Sequence, residues 1–287
     1  MTYRRLGDLR LLRAVESIWE ADVGFFFRDT AREFWQPHFD WMCPNALDAE
    51  TLRLKMPMQS YIVQTPHHNI LIDTCVGGLK NLPKYPEWNL NPHTRYTDAL
   101  AAHGLGFGDI HYVMCTHLHT DHCGWNTKLE NGRWVPTFPN ARYIFSKKEY
   151  EHWAAVKNDV YNQSVLPVVE AGRADLVESD FVLNDHVWLE PTPGHTPDHV
   201  CVHIKSKGEH VVVTGDLFHS PIQCLHPEWE NLIDWNKDLG AQARRGFMER
   251  NADTGTLICT IHFPLPSAGF FRRKGDVFHF EYDKHDW

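Results

Sequence analysis

Short apolar, β-branched runs closed by Gly, Pro, Asn or Asp recur along the chain, most densely in its second half, the signature of buried strands joined by turns. Residues 9–19 suit a strand or a helix by pattern and are read as strand. Leu52–Pro57, Ser60–Thr65 and Asn69–Asp73 read as successive strands, with Pro66-His-His-Asn69 as the turn between the last two. Residues 80–93, rich in Asn and Pro, predict a loop, and Arg95–His103 a helix stopped by Gly104. Ile110–Cys115 reads as a buried strand, residues 125–140 as a loop with a hairpin at Asn131-Gly132, and Arg142–Phe145 as a strand. Ser146-Lys-Lys-Glu149 has the spacing of a capping box and opens a helix to about Val156; a second helix covers part of Tyr161–Ala171, interrupted by Pro167. Strands follow at Leu176–Val182, His186–Glu190, Val200–Ile204 and His210–Thr214, then a helix at Asn236–Asn251, a strand at Thr256–Ile261, and one or two closing strands in Phe270–Tyr282.

Strands, helices, strands, helix, strand is an order that suits two sheets packed face to face with helices outside, an α/β (α+β) four-layer αββα sandwich. No linker-like composition shift and no repeat divides the chain, so residues 1–287 are read as one domain. Within it, residues 1–50 form an N-terminal strand and an irregular aromatic arm carrying Phe25, Phe26, Phe27, Phe34, Trp35, Phe39 and Trp41. Such an arm serves as a packed flap, a wall over a pocket or a dimer contact.

Composition narrows the class of partner. Hydrophobic residues make up 43% and charged residues 23%, as in an ordinary globular protein. The 37 acidic residues exceed the 28 Lys and Arg, giving a net charge of −9, which argues against a nucleic-acid partner. Residues 1–13 carry charges and no long apolar run, so they read as no secretory signal, and no stretch approaches the ~18 apolar residues of a membrane span. Seven cysteines without a Cys-x-x-Cys pair speak against a disulfide framework and a zinc knuckle. Reduced thiols in a cytoplasm are the simpler account, and Cys123 is read as a packing residue.

The chemistry concentrates in Val113-Met-Cys-Thr-His-Leu-His-Thr-Asp-His-Cys-Gly124. His117, His119, Asp121 and His122 fall within six residues at the end of the Ile110–Cys115 strand. His117 and His119, two apart on extended backbone, point to one side. Thr120 and Asp121 suit a helix start, where adjacent Asp121 and His122 can point apart. One pair for each of two metal ions is the natural reading, since a single catalytic ion needs only three or four ligands and an open position. Three more candidates follow apolar strands: His195 in Pro191-Thr-Pro-Gly-His-Thr-Pro-Asp-His199, Asp216 after Val211-Val-Val-Thr-Gly, and His262 after Leu257-Ile-Cys-Thr-Ile.

This ordered set resembles the ligand signature of the metallo-β-lactamase-fold hydrolases. The resemblance implies that His117, His119 and His195 hold one ion, that Asp121, His122 and His262 hold the other, and that Asp216 bridges them. Nitrogen and carboxylate donors suit Zn²⁺, with Mn²⁺, Fe²⁺ or Co²⁺ also fitting. It implies a binuclear hydrolase in which a metal-bridging hydroxide attacks an ester, lactone or phosphotriester centre of a small-molecule substrate, Asp121 handling the proton. It also implies a homodimer. Asp73, in a similar Ile-Asp-Thr stretch, is expected to orient a ligand from behind, as are Thr116 and His199. No Gly-x-Ser-x-Gly elbow or Gly-rich phosphate loop offers another mechanism.

Within the family, bridging Asp216 speaks against true β-lactamases, His119 against the diiron flavoproteins, and the acidic balance against nucleases. The chain is closest to the lactonase and methyl parathion hydrolase-like group. Lactonases carry a Tyr three residues after the bridging Asp, where this chain has His219. His219 is therefore expected to face the cavity, act in catalysis and set substrate preference. A glyoxalase II-like thioesterase keeps the same ligands; a mononuclear iron enzyme of the persulfide dioxygenase type and a non-catalytic metal-stabilised binding protein are the further alternatives.

Overall fold

In the computed structural model, which describes residues 2–285 and Trp287, β1 (Arg4–Leu6) turns into β2 (Leu9–Asp22), a strand longer than its pattern indicated. β2 pairs antiparallel with β3 (Arg53–Gln64), with a register shift between Val15 and Ser17. β3 is one strand where two were expected. Pro57 lies in its first half, where β2 pairs on one side only, because β4 (Asn69–Ile72) joins β3 from Tyr61 onward. The Pro57 carbonyl accepts from His262 Nδ1 rather than from β2, so the residue's polar edge faces away from β2 and the missing N–H costs no ladder bond. β5 (Tyr112–Met114) pairs parallel with β4. The Asn131-Gly132 turn closes a separate hairpin of β6 (Thr127–Glu130) and β7 (Arg133–Pro136). β8 (Arg142–Ser146) and β9 (Ala174–Val177) extend the first sheet in parallel, to the order β1-β2-β3-β4-β5-β8-β9.

The second sheet runs in chain order: β10 (Val187–Pro191), β11 (Val200–Ser206), β12 (Glu209–Val213), β13 (Leu257–Cys259), β14 (Ala268–Lys274) and β15 (Val277–Tyr282). The expected strand at 176–182 ends early; only Val182 makes a further bridge, to Trp188.

Alternation explains the layers. Tyr61, Val63, Ile70, Ile72 and Met114 of the first sheet meet Val187, Val202, Val211 and Val213 of the second in one buried cluster. Their neighbours face outward and are covered too. Ile62, Leu71 and Val113 pack under helix α1 (Arg95–Ala102) through Tyr96 and Leu100. Helix α2 (Lys147–Val156) adds Tyr150 and Trp153 to that layer. Cys201, Val212 and Ile258 pack under Phe247 and Met248 of helix α3 (Lys237–Asn251). Strands buried on both faces read as unbroken apolar runs, and the result is the αββα sandwich. The Tyr161–Ala171 region is a π-type turn, Tyr161–Val165, running into Leu166–Glu170, with Pro167 in the first turn where its missing N–H is tolerated.

The arm is more ordered than its lack of periodicity suggested. Short helical turns at Val23–Phe26, Arg32–Trp35 and Phe39–Met42 place Phe26, Phe27, Trp35 and Met42 in a third cluster with Met56 and Met58. No helix among the described residues is long and apolar enough to cross a membrane.

Candidate metal centre

The seven expected ligands gather where strands of both sheets end. β5 stops at Met114, and the chain leaves it through His117 and His119 into the helical turn Thr120–Cys123, which carries Asp121 and His122. Close approach fixes this turn: a Cβ on Gly124 would lie 1.8 Å from the carbonyl oxygen of Val76. His195 comes from the β10–β11 loop, Asp216 from the turn Gly215–Leu217 after β12, and His262 from the segment after β13. Gly215 has φ +51°, and a Cβ there would meet His199 Nε2 at 2.6 Å. The Gly-Asp sequence is thus needed for Asp216 to reach the centre.

Two groups result, His117–His119–His195–Asp216 and Asp121–His122–Asp216–His262, each with its donor atoms within 4.8 Å of one another. Asp216 Oδ1 lies 2.9 Å from Nε2 of both His122 and His262, and Oδ2 lies 3.3 Å from His195 Nε2. Asp121 Oδ2 is 3.6 Å from His122 Nε2 and His262 Nε2. Among the described residues, Nε2 of His117, Nε2 of His122 and Oδ1 of Asp216 are buried without a hydrogen-bond partner. Buried lone pairs left unpaired are costly, and a cation in each group satisfies them. The donor set therefore fits divalent metal ions.

The outer nitrogens are held in place. His122 Nδ1–H donates to Asp73 Oδ2 at 2.8 Å, His195 Nδ1–H to Asp234 Oδ1 at 2.9 Å, and His262 Nδ1–H to the Pro57 carbonyl at 3.0 Å. His117 Nδ1 is 3.1 Å from Thr116 Oγ1, which itself donates to Asp73 Oδ2 at 2.9 Å. Each bond leaves the facing Nε2 free as a ligand. His199 Nε2 accepts the Asp216 amide at 3.0 Å, while its Nδ1 bonds Thr192. Asp73, Thr116 and His199 thus act from behind the ligands.

Electrostatics agree with cation binding. Burial holds His117 and His119 well below the ordinary histidine range. Burial opposes a proton on His122 as well, but Asp216, Asp121 and Asp73 outweigh it and raise the pKa. His195 rises to about 9, burial again being outweighed, here by Asp216 and Asp234. Asp216 is held well below the carboxylate range, the surrounding histidines overcoming its burial. Protons balance Asp216 where no cation does, and a cation releases them.

His219 lies at the cavity but is bonded on both sides. Asn231 Oδ1 accepts from the Ile233 amide, so Asn231 Nδ2 donates to His219 Nδ1 at 2.7 Å. His219 Nε2–H then donates to Asp216 Oδ2 at 3.0 Å. Burial pushes its pKa down to about 4. Both ring nitrogens of His219 thus have partners within the protein.

Above the centre opens a cavity of about 360 Å³ with His119, Asp121, Asp216, His219 and His262 at its floor. Trp19, Phe25, Phe26, Tyr85, Trp88 and Trp153 wall it. Tyr85 stacks on Trp88 at 4.8 Å, and Phe26 packs against His219 at 5.1 Å. The arm is therefore a pocket wall. Asp234, Asn231 and Tyr85 were not foreseen; they sit in irregular stretches without a periodic signal. The Ser146–Glu149 capping box does not form. Ser146 Oγ bonds Asp198, and Glu149 accepts from the Leu118 and Asp198 amides, tying the His117–His119 loop to the His195 loop.

This fold and centre define a metal-binding αββα protein. The chain belongs to the metallo-beta-lactamase superfamily, whose family model matches residues 57–253. It is 27% identical over 213 residues to a probable metallo-hydrolase, YybB, of Bacillus subtilis, spanning 73% of this chain and 82% of that one. It is 29% identical over 170 residues to an N-acyl homoserine lactonase of Bacillus thuringiensis, but that match spans 54% of this chain and only 60% of the lactonase. Two solved structures share the fold with a TM-score of 0.82: the hydrolase AbOPH, 20% identical and covering 99% of this chain and 97% of its own, and the dizinc quorum-quenching lactonase AidC, 22% identical and covering 99% and 98%.

Proposed function

We propose that the protein is a binuclear metal-dependent hydrolase acting on a small ester or lactone that carries an apolar group, with phosphotriesters as a further substrate type. The observation that carries this is the cavity: its floor is the His/Asp centre, and aromatic and aliphatic side chains such as Trp19, Phe25, Phe26, Met56, Leu82 and Ile233 make up most of its walls, with Asn81, Lys84, Asn158 and Asp159 among them. Zinc is the favoured metal on donor chemistry, and the lactonases among the relatives support the class of bond.

Metal ions bound here supply a Lewis acid for the substrate oxygen and lower the pKa of water. The rest is work of the side chains. His117, His119 and His195 on one side, and Asp121, His122 and His262 on the other, present converging donors. Asp216 is the carboxylate common to both groups, and His219 fixes its Oδ2. Asp121 is 15% exposed at the side chain against 4% for Asp216, so its carboxylate reaches the cavity and can take up the proton lost by the attacking water. Trp19, Phe25 and Phe26 seat the apolar part of the substrate and exclude water. His219 sets substrate preference by the width it leaves beside Phe26.

The test is a hydrolysis screen of the zinc-loaded protein over lactones, aryl esters, thioesters and phosphotriesters, together with elemental analysis of the protein as purified and after zinc loading. Two ions per chain and turnover of esters or lactones are expected. Turnover of thioesters alone, a single iron, or no turnover at two ions per chain would each overturn the proposal.

A further inference from the structure

The stretch from His226 to Asn236 is irregular, yet it is fastened to the centre. Asp234 Oδ1 accepts from His195 Nδ1 at 2.9 Å. The Trp235 amide donates to the His195 carbonyl at 3.0 Å, the Asn236 amide to the Gly194 carbonyl at 2.9 Å, and the Leu232 amide to the Phe26 carbonyl at 2.8 Å. Beneath it Arg244 of α3 is buried and donates to the carbonyls of Leu217, Pro227 and Trp229. Its Nη1 lies 3.6 Å from Asp234 Oδ2, both side chains being at most 1% exposed.

A buried guanidinium and a buried carboxylate are each costly alone. Here each supplies the other's counter-charge, so Asp234 orients His195 while adding little net charge to its pocket. The neighbouring pocket is charged differently. Asp121 stands there as a candidate ligand, and Asp73 bonds directly to His122 Nδ1. Asp73's other partners are the Thr116 amide and hydroxyl, and no lysine or arginine pairs with it among the described residues. Beyond the shared Asp216, the Asp121–His122–His262 group thus has one carboxylate in contact and an uncompensated one behind it. The His117–His119–His195 group has neither. Among the described residues its link to Asp73 passes through the Thr116 hydroxyl.

We infer that Asp234 and Arg244 form a charge-balanced positioning pair for His195, and that the two ion positions are unequal. The position at Asp121, His122 and His262 holds its ion more tightly; the one at His117, His119 and His195 releases its ion first. The physical reason is the attraction of uncompensated carboxylates for a dication at low dielectric. The inference rests on the two-ion reading proposed above.

The experiment strips the zinc-loaded protein with increasing nitrilotriacetate and counts the zinc retained. Release in two steps is expected. His119→Ala loses the early step and keeps the late one. Asp234→Asn brings the early step forward by about 10- to 100-fold in chelator without moving the late one. Because Asp234→Asn leaves Arg244 unpaired, Asp234→Asn with Arg244→Gln removes both charges together and carries the same expectation. Both ions leaving the wild type together would overturn the inference. So would a late step lost in His119→Ala, or Asp234 variants that melt lower while both steps stay in place, the mark of a purely structural residue. A wild type that saturates at one zinc defeats the two-ion reading itself, and the inference with it.

Discussion

Asp216→Ala probes the carboxylate on which the paired centre depends. Its two oxygens lie 2.9 Å from His122 and His262 on one side and 3.3 Å from His195 on the other, and it is the side chain common to both groups. An ion present at 1,000 times its dissociation constant stabilises the folded chain by about 4 kcal/mol. Unfolding entropy of about 2.1 cal/mol/K per residue over 287 residues gives about 0.6 kcal/mol per degree, so each ion raises Tm by about 7 °C and two by roughly 14 °C. Asp216→Ala takes a ligand from both ions and should reduce the zinc-dependent increment to below about 5 °C on the same scale. The metal-free variant should melt close to the wild type. The residue sits past a strand end, where no ladder bond of the sheet depends on it. Calorimetry with and without zinc, paired with elemental analysis, measures this. A variant that keeps the full increment and two zinc ions refutes the shared carboxylate.

Three further outcomes are expected. His219→Tyr should change the ratio of lactone to aryl-ester kcat/KM by at least about tenfold, or 1.4 kcal/mol of differential transition-state stabilisation, with zinc content unchanged; equal changes in both rates would remove His219 as a specificity residue. Burial raises the Glu16 carboxyl from 4.5 to about 7 against its bonds from the Val76 amide and Trp125. The folded chain therefore keeps a proton that the unfolded chain loses. The contribution is greatest below about pH 4.5 and is lost as pH rises through 7, a change of about 3 kcal/mol; urea melts should show wild-type stability relative to Glu16→Gln falling over that window, and a flat difference argues against it. The chain should be a homodimer by light scattering at micromolar concentration, and a monomer there disproves this.

The site was legible because each candidate ligand stands just past an apolar strand, and strand ends are where an α/β sandwich can expose polar groups without unpairing its sheets. His195, Asp216 and His262 lie far apart in sequence, yet Asp216 and His262 follow apolar runs such as Val211–Val213 within two or three residues, and His195 follows Val187–Leu189 after a Pro- and Gly-containing turn. The layers were legible for the same reason, since alternation in β3, β4, β11 and β12 fills both faces. The pocket wall was not. Trp19, Phe25 and Tyr85 meet over the centre only because the end of β2, the arm and the 80–93 loop come together at the same end of the sheets. Nothing in their spacing encodes that meeting.

Ser146 and Glu149 mark the harder limit. Their spacing satisfies a capping box, and a local reading of hydrogen bonding stops there. The folded chain has a stronger demand. The amides of Leu118 and Asp198 belong to the two loops that carry His119 and His195, and both are buried beside α2. A buried amide without an acceptor costs about 1–3 kcal/mol, whereas a capping bond contributes about 1 kcal/mol at a helix end that water can also serve. Glu149 therefore turns inward, where burial raises its pKa against those same bonds, and Ser146 follows to Asp198. Asp234 repeats the logic from 39 residues beyond His195. It is conspicuous only once the imidazole that needs an acceptor is in view. A motif defined by local geometry loses to a tertiary partner wherever the tertiary group would otherwise be buried unpaired, and ligand-bearing loops are where such groups concentrate.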